Sequence, residues 1–203
     1  MTLSIADLIA KPKEETDRLL LDPSVSLEEL KELANHFLEL RAQEYQENQL
    51  SYYHPVSAEA EKVHLSTAHT IGIFGGRGSS KTETALVEMA IMATGIIPDS
   101  LEDKYPKSKI PETAKIRVIV ESLTTTLEPV ILPKLQWWKW DGIDAPGGKR
   151  GHWGWIPKSK LLAGDWEKSY NPRLRILSLN TGCTIQFMSV DQDPTDFASG
   201  DFH

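Results

Sequence analysis

The sequence predicts an α/β domain behind an N-terminal helical extension, and three observations carry that expectation. An acidic, helix-periodic stretch fills the first 50 residues. A short apolar run at Thr70 to Phe74 leads through a glycine- and serine-rich loop into a helix-forming stretch. Two further β-rich segments, Lys115 to Glu121 and the pair Arg173 to Leu179 and Cys183 to Ser189, come after it.

The extension, residues 1–50, holds 11 Asp and Glu against 5 Lys and Arg, whereas the other 153 residues are nearly neutral within a total of −7. Ser26 and Glu29 have capping-box spacing, and Leu27, Leu30, Leu33, Ala34, Phe37, Leu38 and Leu40, beside Arg41, give a helix to about residue 48 one apolar face. Asp22 and Pro23 separate it from a helical stretch near residues 14–21. Such a helix either docks another subunit or packs on its own core.

The domain proper is expected over residues 51–203. A connector with Tyr52, Tyr53, His54 and Pro55 and a short helical pattern around Ser57 to Leu65 precede the apolar run, whose composition fits a buried strand. Lys81 to Ala93 reads as a helix closed by Gly95 and Pro98, and residues 99–114 as a polar surface loop. Lys115 to Glu121 reads as a second buried strand. Thr124 to Trp138 is helical in pattern, with Pro129 acceptable in its first turn and Pro133 forcing a kink or delay. An irregular loop spans Asp141 to Tyr170, and Asn180-Thr181-Gly182 signals a hairpin turn.

Composition excludes several classes. Cys183 is the sole cysteine, so no internal disulfide or cysteine-based zinc cluster can form, and a reducing cytoplasm fits. No apolar run reaches the roughly 20 residues of a spanning helix and no signal-peptide layout opens the chain, so a soluble protein without a membrane role is expected. The charge balance does not drive the whole chain onto nucleic acid; Lys149, Arg150, His152, Lys158 and Lys160 are the best local basic group. His54, His64, His69, His152 and His203 lack metal-ligand spacing. The tryptophans at 137, 138, 140, 153, 155 and 166 either stack on bases beside these cations or anchor the irregular loop.

Gly75-Gly76-Arg77-Gly78-Ser79-Ser80-Lys81-Thr82 carries the chemistry. It matches the phosphate-binding pattern G-x-x-x-x-G-K-[ST] except that Ser80 replaces the second Gly, which costs about 1–2 kcal/mol at positive φ. Small residues let the backbone wrap phosphates, and the helix N-terminus adds partial positive charge. In this reading Lys81 bridges the β- and γ-phosphate oxygens of ATP and Thr82 ligates Mg²⁺. Arg77 either stabilises charge on the γ-phosphate or points to solvent.

This stretch resembles the loop GG-R-xSGKT of the large terminase subunit of tailed bacteriophages, the ATPase that packages DNA into capsids. Pro55 and Val63-His64-Leu65-Ser66 resemble the family's P-x-x-x-Q-x-x-F-H-x-S segment, with Ala60 where an adenine-contacting Gln is expected. Arg117 to Ser122, Leu132 to Leu135, Ile185 to Ser189, Asp191 to Asp193 and Phe197 to Gly200 resemble family segments downstream, so the likeness covers residues 50–203.

The resemblance implies a three-layer P-loop NTPase domain with a mostly parallel sheet. It also implies double-stranded DNA, a portal protein and a small terminase subunit as partners, a ring of identical subunits, and a place in the host cytoplasm and transiently on the procapsid. Ser199 stands where some relatives carry a trans-acting Arg, leaving Arg150, Arg173 and Arg175 as unranked candidates. Glu121 is the one carboxylate placed to face the nucleotide, or else a structural ion-pair partner.

The resemblance implies a Walker B strand beside the P-loop strand in the family sheet, expected just beyond Gly200 to His203, with the coupling motif and nuclease after it. The chain therefore reads as an N-terminal piece of a longer protein, a weak nucleotide binder with little or no hydrolysis alone. Two other functions stay open: a P-loop phosphotransferase acting on a small acceptor, and a non-catalytic nucleotide-binding assembly module.

Overall fold

The computed structural model describes residues 27–136, 138–139 and 151–192. The first-turn signals at 14–26, Lys149, Arg150, Trp137, Trp140 and the segment 193–203 lie outside the described residues. The chain divides into two compact units, Met1–Glu44 and Tyr45–His203.

Helix α1, Leu27–Glu47, bears out the N-terminal period, with Leu38 and Leu40 exposed. The unit boundary falls inside it, six residues earlier than the expected division at residue 50. Its last turn, from Tyr45 onward, belongs to the second unit because the chain there is tied to that unit's core: the Trp153 amide donates to the Gln46 carbonyl at 2.6 Å, and Leu50 is fully buried.

In the second unit, α2 (Ala58–Leu65) begins at Ser57, whose hydroxyl accepts from the Ala60 amide, and α3 (Lys81–Thr94) ends at Gly95 in the left-handed region. Helix α3 buries Leu86, Val87, Ala90 and Ile91 against the core, a continuous face set by its 3.6-residue period.

Strand β1 (Lys115–Val120) begins the sheet. The two-residue strands β2 (Trp138–Lys139) and β3 (Gly151–His152) pair apart from it, while β4 (Tyr170–Asn171), β5 (Ile176–Ser178) and β6 (Thr184–Ser189) complete it in the order β1-β6-β5-β4. Only β1 and β6 run parallel, with Val118 opposite Phe187. The other two pairings are antiparallel, so the sheet is mixed and not mostly parallel. Short connections dictate this: four residues join β4 to β5 and five join β5 to β6, and such links can only build hairpins. Gly182 supplies the φ of +85° that the second turn needs, as the Asn-Thr-Gly signal predicts.

Ile116, Val120, Leu177, Ile185 and Phe187 share one core with α3. On the opposite sheet face Lys115 and Ile119 are exposed, the latter by 50%, while Met188, paired with Ile119, is buried.

The apolar run before the loop departs most from expectation. Thr70 to Phe74 forms no strand and pairs with none of the described strands; Phe74 is 94% exposed. Composition marks a segment able to become a strand, but a strand exists only where a neighbour satisfies its backbone, and no described strand lies beside this one.

Beyond β1, a π-helix covers Leu123–Ile131 and passes into α4, Leu132–Leu135. The Leu127 and Leu132 amides reach back five residues to the Ser122 and Leu127 carbonyls. Pro129 and Pro133 have no N–H, and the wider winding absorbs both where a regular α-helix would lose two bonds. The polar segment 99–114 is not purely superficial, because Leu101, Tyr105 and Ala114 are buried in the core.

The irregular loop is anchored, and Trp155 shows how. It is 8% exposed, and the amides of Gly154, Trp155 and Ile156 donate to the Gln136, Lys134 and Leu135 carbonyls at 2.9–3.1 Å. Helix α5, Trp166–Ser169, leads from this loop into β4. Cys183 closes the hairpin from inside: its thiol accepts from the Ala114 amide at 3.1 Å and is 2% exposed.

Candidate functional site

The loop and helix predicted to hold a phosphate tail are contiguous and exposed. Gly75, Gly76, Arg77, Gly78 and Ser79 are all open to solvent, and a Cβ at Gly76 or Gly78 would meet nothing within 4 Å. Gly78 has φ +83° and Ser80 φ +57°, so the chain makes its sharp entry into α3 through two left-handed residues. Ser80 is the position where the sequence departs from glycine, and it adopts the glycine-like conformation regardless. Its carbonyl accepts from the Thr84 amide at 2.9 Å and from the Thr84 hydroxyl at 3.1 Å, which pins the turn.

No side chain caps α3. The first-turn amides of Lys81, Thr82 and Glu83 accordingly have no acceptor among the described residues, and they carry the positive end of the helix dipole toward the loop. Lys81 curls back over the loop. Its ammonium donates to the Gly75 carbonyl at 2.7 Å, the Gly76 carbonyl at 2.6 Å and the Ser79 hydroxyl at 3.0 Å. The loop thus folds around a cation, and an anion placed there would draw that ammonium off neutral carbonyl oxygens.

Thr82 is exposed at the first turn, a hard oxygen donor of the kind that Mg²⁺ takes alongside substrate phosphates. No group of three His, Cys, Asp or Glu able to hold a metal exists among the described residues, so any metal here depends on Thr82 and the phosphates. Arg77 is exposed. Glu121 stands exposed just beyond β1, its carbonyl accepting from the Ser189 hydroxyl. Arg173 is exposed and Arg175, at φ +54°, half-buried. Lys158 lies over the Trp153 ring at 5.9 Å.

Beside the loop lies a cavity of about 200 Å³. Ser57, Ala60 and Val63 form one wall, on and just before α2, Lys81 and Thr84 of α3 the other, and Ile73 and Phe74 border it. Lys81 is thus shared between this cavity and the loop.

Two groups that sequence reasoning did not single out support this site. Glu83, next to Thr82, accepts from the Lys134 ammonium and from the Trp155 indole N–H at 2.5 Å, which binds the start of α3 to α4 and the irregular loop. Glu88, deeper on α3, accepts from His64 Nδ1 at 2.7 Å, from the Tyr105 hydroxyl at 2.9 Å and from Lys109. Burial raises the Glu88 carboxyl, but the His64, Lys109 and Tyr105 donors outweigh it and hold the group below the usual carboxylate range. Burial and the Glu88 charge push the Tyr105 hydroxyl far up. Nothing near Glu83 or Glu88 in the sequence marks them; only their distant partners give them meaning.

Compared with known proteins, the chain matches no family model, no curated protein and no solved structure at a significant level. No described helix is long and apolar enough to cross a membrane.

Proposed function

We propose that the chain binds ATP at Gly75 to Thr82 as the motor domain of a viral DNA-packaging terminase, using ATP hydrolysis to translocate double-stranded DNA into a procapsid. The single observation that carries the binding half is the Lys81 ammonium, folded into a glycine loop at the uncapped N-terminus of α3. The terminase half rests on the resemblance of residues 50–203 to that family.

In this reading Lys81 turns from Gly75 and Gly76 to the β- and γ-phosphate oxygens, and the free amides of α3 share the negative charge. Arg77, exposed on the loop, swings onto the γ-phosphate and meets the charge that grows as the terminal bond breaks. Thr82 supplies its hydroxyl to the metal. Bound Mg²⁺ would neutralise the phosphate oxygens and draw electron density from the bond being cleaved. Glu83 keeps the first turn of α3 in place through Lys134 and Trp155.

The test is ATP binding and hydrolysis, with and without double-stranded DNA, by the chain and by Lys81→Ala. Binding that falls about a hundredfold in the variant supports the site. Hydrolysis stimulated by DNA supports the motor, whereas DNA-independent transfer to a small acceptor indicates a phosphotransferase. Unchanged binding in Lys81→Ala overturns the reading.

A further inference from the structure

Lys81, Thr84 and Glu88 are spaced three and four residues apart, so they form one stripe along α3. Its first member reaches the loop, its second lines the cavity and its third is bonded to α2 through His64. Helix α2 has eight residues, too few to hold itself in water, so its place is set by what it touches. His64 is fully buried and meets Glu88 through Nδ1 and the Tyr53 hydroxyl through Nε2, the latter at 3.1 Å. Lys109, which also binds Glu88, donates to the His64 carbonyl at 2.9 Å and so holds the end of α2 from behind.

The wall that α2 offers the cavity is apolar at Ala60 and Val63. On the side facing α2 the Ser57 hydroxyl already caps that helix and the Thr84 hydroxyl donates to Ser80, while Glu59, Ser79 and Lys81 also line the cavity. Affinity gained against Ala60 and Val63 is van der Waals contact, which a gap of half an ångström to one ångström cuts by a quarter to a half. The width of the cavity is therefore the quantity that matters.

We propose that Glu88 is a positioning residue for the nucleoside half of the site, fixing through His64 the separation of α2 from α3. The inference rests on the triphosphate reading of the loop. It separates the two ends of the ligand: the phosphate tail is held by the loop and the first turn of α3, two turns away from Glu88, and the nucleoside by α2, which Glu88 bonds through His64.

Binding of ATP and of inorganic tripolyphosphate to the chain, to Glu88→Gln and to Tyr53→Phe tests this by calorimetry. Glu88→Gln is expected to weaken ATP about tenfold and tripolyphosphate less than about twofold. Tyr53→Phe keeps the ring and removes the hydroxyl that meets His64 and Thr84; it is expected to weaken ATP about threefold with tripolyphosphate unchanged, and it carries the test if Glu88→Gln fails to fold. Equal losses for both ligands, no loss for ATP, or a wild-type chain that binds both equally well overturn the proposal while leaving the loop as a triphosphate site. A wild-type chain that binds neither removes both readings.

Discussion

The Lys81 ammonium lies 2.6 Å from the Gly76 carbonyl oxygen, five residues back along the chain, so the free loop already holds its cation at the mouth of α3. A ligand need only exchange carbonyl acceptors for stronger anionic ones. Tripolyphosphate at about a hundred times its dissociation constant should stabilise the wild type by about 2.7 kcal/mol. Lys81→Ala should lose that gain while its ligand-free stability changes by less than about 1 kcal/mol, since the side chain buries little. Urea unfolding with and without the anion measures both.

Ser80 holds a side chain in the left-handed region at φ +57°. Ser80→Gly should relieve most of that strain, offset in part by the greater freedom of glycine in the unfolded chain, for a net gain of about 0.5–1 kcal/mol. The midpoint of chemical unfolding reads it. A β-branched residue at the same place should lower the midpoint.

Gly154 is demanded by close approach and not by φ. A Cβ there would stand 2.4 Å from the Lys134 carbonyl oxygen and 2.7 Å from that of Gln136, both backbone atoms. Gly154→Ala should cost about 2–4 kcal/mol and release Trp155 from Glu83, seen as lower stability with a red-shifted tryptophan emission.

Glu88 makes stability depend on acid. Its carboxyl is held below the ordinary carboxylate range, chiefly by His64 and Lys109 acting against burial. Its contribution is therefore complete above the unfolded value, about pH 4, and is lost as pH falls through the lower folded value. Unfolding midpoints taken from pH 7 down to pH 3 should decline less steeply in Glu88→Gln than in the wild type.

Local chemistry explains which features were legible in the sequence. The period of Leu27 to Leu40, the glycines and Lys-Thr at 75–82, and Asn-Thr-Gly before β6 each act within a few residues of their own position, and each lies where sequence placed it. Features that depend on a distant partner were not legible. Thr70 to Phe74 has strand composition without a strand beside it, and Glu83 and Glu88 find partners at Lys134 and His64. The π-winding of 123–131 belongs with these, because prolines announce trouble in a helix without saying how it is resolved.

Cys183 gives the chain its own clock. The thiol is the sole one in 203 residues and sits shut behind β1, so a maleimide can couple to it only when the hairpin parts from Ala114. The labelling rate under native conditions then reports how often this corner of the sheet breathes, without an engineered probe.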